Sequence, residues 1–119
     1  MLSVKMIIKN LTKNKEISGN AQISGNILSQ TIGLMLSKKR NTSLIFGFNK
    51  EKIIALHMLF VFYPIDALFL DKNKIVVDKK ENFRPFTFYK SRKKAMYAIE
   101  LPNITIKKTR TEIGDKISF

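Results

Sequence analysis

The amino-acid sequence predicts an all-β, or mainly β, domain: a compact sandwich or barrel with one or two short helices. Three observations lead there. Short apolar runs alternate with turn residues along most of the chain, the longest apolar stretch (Ile53 to Leu70) is cut by Pro64, and helical spacing is visible in only two places. A chain of 119 residues suits a single domain over residues 1–119 that buries about two-thirds of its unfolded surface. Its apolar fraction of 45% is that of an ordinary core.

Val4 to Ile8 reads as a first strand. Asn10 to Asn20, polar and lysine-containing, reads as a loop or hairpin region, and Ile17, Ala21 and Ile23 alternate into a second strand ending near Gly25. From Ser29 the period changes. Leu28, Ile32, Met35 and Leu36 share one face of a short amphipathic helix, Gln30 to Lys38, with Lys38, Lys39 and Arg40 at its C-terminal end, where cations complement the helix dipole. Ser43 to Phe48 can form a brief strand or loop.

Ile53 to Phe62 is almost continuously apolar, the pattern of a strand covered on both faces. Pro64 lacks an amide donor and ends its ladder. Ile65 to Leu70 follows as a strand, Asp71 to Lys74 as a turn, and Ile75 to Asp78 as the returning strand. Lys79 to Lys94 is a loop rich in aromatics and cations. Ala95 to Leu101 has strand character, Pro102 stops it, and Asn103 is placed to cap a helical turn through about Arg110. Gly114-Asp115 turns the chain into a last strand, Lys116 to Phe119.

Twenty-two Lys and Arg against nine Asp and Glu leave a net charge of +13. Such a field attracts phosphates, acidic proteins and anionic lipid heads. The same excess also arises from a composition rich in Lys, Ile and Asn that leaves a solvated basic surface. Without cysteine there are no disulfides, thiolate metal sites or cysteine nucleophiles, in keeping with a reducing interior. The first ten residues lack the long apolar region of a secretory signal. His57, Pro64 and Asp66 interrupt the one stretch long enough to suggest a membrane span, where a charge at the bilayer centre costs about 3 kcal/mol. These features predict a cytoplasmic protein with no membrane segment.

Several of these segments together resemble a known family. They are Gly33-Leu34-Met35, Met58 to Phe62, Ile65 to Asp71, Tyr97 to Leu101 and Gly114 to Ile117. In combination, over about Ile27 to Phe119, they resemble domain of unknown function 192, a family of bacteria and archaea. The resemblance implies a jelly-roll-like or barrel architecture and no established catalysis. Bacterial members commonly carry a Trp-Met-Lys-Asn-Thr-like segment where this chain joins its strands directly through Tyr63-Pro64. A binding function resting on that insert is therefore not implied here, and the short join marks an archaeal-type member.

Asp66 is the leading candidate site residue, because a carboxylate inside an apolar strand must find partners. Those partners are either a ligand in a cleft or, more simply, backbone donors, Arg40 or lysines. Met35, His57, Phe60 and Phe69, drawn from the family motifs, are its candidate neighbours in a ligand- or partner-binding cleft. His57, the only histidine, has the intrinsic acidity for acid–base work. An enzyme, of hydrolase type, would pair it with Asp66, although a lone histidine in an apolar run is more often structural. Asp66 and Asp71, five positions apart, point to opposite faces of a regular strand and do not form a dyad. Lys38, Lys39, Arg40, Arg84, Arg92, Lys93 and Lys94, with the phenylalanines of Phe83 to Phe88, form the alternative, a single-stranded nucleic-acid surface. Phe86 and Phe88 could instead face the core. The sequence nominates no catalytic residue, metal centre or cofactor, and leaves the ligand and oligomeric state open.

Overall fold

The computed structural model describes residues 5–24, 42–58 and 62–119. The predicted helix Gln30 to Lys38, with Met35 and Lys38 to Arg40, lies outside them, as does Phe60. Nine strands are described: β1 (Lys5–Asn10), β2 (Lys15–Ser24), β3 (Ser43–Lys52), β4 (Ala55–His57), β5 (Ile65–Leu70), β6 (Val76–Phe83), β7 (Phe88–Lys90), β8 (Ala95–Pro102) and β9 (Ile117–Ser118). One helix, α1 (Thr105–Thr109), stands between β8 and β9. The all-β expectation holds.

Seven strands form one sheet in the order β6-β5-β8-β3-β2-β1-β9, parallel only between β2 and β3. The remaining two, β4 and β7, pair as an antiparallel ribbon. The large sheet curls until its margins meet at one end. There Ile75 bridges Lys116, the Val76 amide donates to the Asp115 carbonyl at 2.9 Å, and the Ile117 amide donates to the Lys74 carbonyl at 2.9 Å.

β5 is the spine of the sheet, and all six of its residues are buried. Ile65, Ala67 and Phe69 pack with Phe46, Ala98, Phe83 and, from the ribbon side, Leu56 and Met58. Leu68 and Leu70 point the other way and pack with Ile45, Ile99, Ile8, Ile17 and Ile106 of α1. A continuous apolar run is what a strand covered on both faces requires. The Asp71 to Lys74 turn forms as expected: Asp71 Oδ1 accepts the amides of Asn73 and Ile75, and Lys74 takes a left-handed φ of 63°.

Three expectations are corrected. Ile53 to Phe62 is not one doubly covered strand: among its described residues only Ala55–His57 pairs, with Leu56 buried and Ala55 and His57 exposed. The apolar residues Ile53 and Phe62 lie in solvent, which hid the true alternation. Lys79 to Lys94 is not a loop throughout, because β6 runs on to Phe83 and β7 follows. Finally, Asn103 does not cap the helix. Ile104 occupies the cap position in a left-handed conformation (φ 68°) with no side-chain cap bond of its own.

Candidate functional site

Alternation along β5 and β8 sets two carboxyl groups on opposite faces of the sheet. Asp66 stands across from Leu101, and Glu100 across from Ala67. Asp66 is fully buried on the face that α1 covers. Its two oxygens accept the backbone amides of Asn82 (3.0 Å) and Ile106 (2.9 Å), and Ile104 contributes a further amide. Burial pushes the Asp66 carboxyl above its ordinary range, and those amides hold back part of the rise. The missing helix cap is thus supplied by a side chain 40 positions earlier. This is the simpler of the two readings of Asp66, with backbone donors as its partners.

His57 is exposed on β4 and stacks on Phe88, with ring centroids 5.9 Å apart. The ribbon carrying it packs on the sheet face opposite Asp66, so the two do not come together. Phe69, fully buried, also lies on the face away from Asp66. An open groove of about 740 Å³ between residues 14–20 and α1 is lined by none of the candidate residues. Among the described residues no cluster of three or more His, Cys, Asp or Glu could hold a metal ion, and no helix is long and apolar enough to cross a membrane.

The residue that sequence reasoning missed is Glu100. It projects from β8 on the same side as Ala98, between Leu44 of β3 and Ala67 of β5, and is only 5% exposed. Among the described residues its Oε2 has no hydrogen-bond partner. Burial alone drives the Glu100 carboxyl well above the usual carboxylate range and favours the neutral acid. One signal was available in the sequence: an acid flanked by Ile99 and Leu101 within an apolar strand, the same argument that singled out Asp66.

Glu100 binds its proton more tightly folded than unfolded, so its contribution to stability is complete below the ordinary glutamate value and is lost as pH rises through the raised one. Glu100→Leu should add about 1–3 kcal/mol near neutral pH and flatten that decline. Chemical denaturation across a pH series checks it; an unchanged pH slope would refute it.

The ribbon has a different character. Leu56 is buried and Tyr89 half-buried against the core, while His57 and Phe88 face outward. Phe86 and Phe88, read either as surface rings or as core residues, are 61% and 65% exposed, and Phe62 is 71% exposed. Buried Asp78 of β6 holds the ribbon in place. It accepts the Tyr89 hydroxyl at 2.7 Å, the Arg92 amide at 2.8 Å and the Arg92 guanidinium at 2.7 and 3.0 Å. Burial alone would raise the Asp78 carboxyl, yet the Arg92, Tyr89 and Lys79 donors outweigh it and hold the group below the usual range. Arg92 is therefore engaged internally, whereas Arg84, Lys93 and Lys94 are exposed.

Residues 8–119 match the family model DUF192, described as Uncharacterized ACR. A UPF0127 protein of Thermococcus sibiricus is 37% identical over 112 residues, covering 92% of this chain and 72% of its own length. A UPF0127 protein of Pyrococcus furiosus is 36% identical over 112 residues, covering 92% of this chain and 95% of its own. The crystal structure of a protein of unknown function from Novosphingobium aromaticivorans superposes with a TM-score of 0.83 at 17% identity, covering 98% of this chain and 85% of that one. The last likeness concerns the fold alone.

Proposed function

We propose that this chain, which belongs to the uncharacterised DUF192 family, is a non-enzymatic binding domain that holds a small ligand against the Glu100 carboxyl. One observation carries the reading: a carboxyl oxygen enclosed by protein with no hydrogen-bond partner among the described residues. Leaving such a group unsatisfied costs about 1–3 kcal/mol. Costs of this kind persist where function needs the group.

A neutral carboxylic acid presents an O–H donor and a carbonyl acceptor side by side. Its complement is a planar group with an acceptor beside a donor, such as a primary carboxamide or a lactam. The small side chains of Ala67 and Ala98 neighbour Glu100 on this face, and half-buried Leu44 and Tyr63 pack against the same cluster. The ligand site sought beside Asp66 is thereby moved across the sheet, where Phe69 lies. A cytoplasmic location belongs to the same reading, supported by a composition that asks for no oxidising compartment.

Thermal melting with acetamide, 2-pyrrolidone, nicotinamide and uracil, on the wild type and Glu100→Leu, tests the proposal. A compound at a hundredfold its Kd stabilises by about 2.7 kcal/mol, a shift of several degrees. The wild type should respond to at least one member and Glu100→Leu to none. Equal responses in both proteins, or none in the wild type, would sink the idea.

A further inference from the structure

The ribbon and the segments flanking it present four rings in two pairs: Phe62 with Phe86 edge-to-face at 5.5 Å, and His57 with Phe88 stacked at 5.9 Å. Three phenylalanines left more than 60% exposed are costly in water, and here one lies on β7, one in the turn before it and one just ahead of Pro64, in contact with that turn. Cations lie along the same stretch of chain as Phe86 and Phe88. Lys90 and Arg84 are exposed on β7 and the preceding turn, and Lys93 and Lys94 lie in the turn that follows. No acid occurs from Ile53 to Tyr63 or from Arg84 to Lys94, so no carboxylate within these segments offsets the charge.

We infer that this face binds single-stranded nucleic acid, with bases stacking on the phenylalanines and phosphates lying along Arg84, Lys90, Lys93 and Lys94. The match is one of charge and of shape together. A single strand offers unstacked base faces at intervals along an anionic backbone, and rings interleaved with cations are what such strands stack on. A duplex hides its base faces and would use the cations alone. Asp78 serves the surface indirectly by fixing Tyr89 and Arg92, which sets the outward residues of the ribbon in position. The inference is independent of Glu100, since none of these residues takes part in that site.

Fluorescence anisotropy with a labelled oligothymidylate of about 12 nucleotides, and with a duplex of equal length, tests it. The wild type should prefer the single strand, with affinity falling steeply between about 50 and 200 mM salt. The double variant Phe86→Ala/Phe88→Ala should bind about tenfold more weakly or worse with an unchanged salt slope. Arg84→Gln/Lys90→Gln should flatten the slope. All four side chains are exposed, so melting curves should match the wild type and exclude misfolding as the cause. Equal affinity of the double phenylalanine variant, equal binding of the duplex, no binding at low salt, or retention only on phosphatidylglycerol vesicles would each overturn the assignment.

Discussion

Asp78→Ala is expected to lower the unfolding free energy by about 3–4 kcal/mol in chemical denaturation. The substitution removes the acceptor for the Tyr89 hydroxyl, two Arg92 guanidinium nitrogens and the amides of Arg92 and Lys79. The cost lies on the Asp78 side of the pair, which is fully buried, whereas the Arg92 side chain is 67% exposed and returns to water. Arg92→Ala should accordingly do less harm, because its backbone amide still reaches the carboxylate. The acid limb distinguishes this loss from a simple cavity. Asp78 is held below its ordinary range, so its contribution is complete above the unfolded-state value and disappears as pH falls through the lowered one. The variant should therefore show a shallower acid transition. A loss under about 1 kcal/mol would mean that the ribbon is held chiefly by Leu56 and Met58.

The second large effect concerns the other face of the sheet. Asp66→Asn should cost about 2–4 kcal/mol despite being nearly isosteric. An amide offers one acceptor oxygen and a donating nitrogen, and the nitrogen would confront the amide of either Asn82 or Ile106. Hydrogen exchange at residues 105–109 should accelerate along with the global loss, because the donors of this five-residue helix lose their acceptor. If the variant matches the wild type in denaturation, the carboxylate is not the cap, and the ligand-site reading of Asp66 regains its case.

The β5–β6 hairpin was legible in the sequence because its signals are local: Pro64 stops one element, Asp71 organises the turn, and apolar side chains fill both faces. β8 and the helical turn after Pro102 were legible for similar reasons. β4 was not, since its outward positions carry apolar groups that erase the period of two. The aromatics in and just before β7 were ambiguous for the same reason: Phe86 and Phe88 look like core residues until the partner strand fixes which side faces out. Asp66 was correctly read as needing partners, but nothing near it identified Ile106 as one. Glu100 has the same local signature, and only the ladder shows that its oxygen goes unmet. Sequence thus displays the demand for a partner, while tertiary pairing decides whether the demand is answered.

The meeting of the sheet margins at Ile75 and Lys116 has a consequence for association. An open margin is a row of free amides and carbonyls on which another chain can lay a strand, whether a peptide in regulated docking or a like molecule in aggregation. Over Lys74 to Val76 and Asp115 to Ile117 those groups are spent within the molecule. Recruitment by strand addition is closed off at that end. A visitor arriving there must be recognised by side chains alone, in a protein whose charge repels copies of itself.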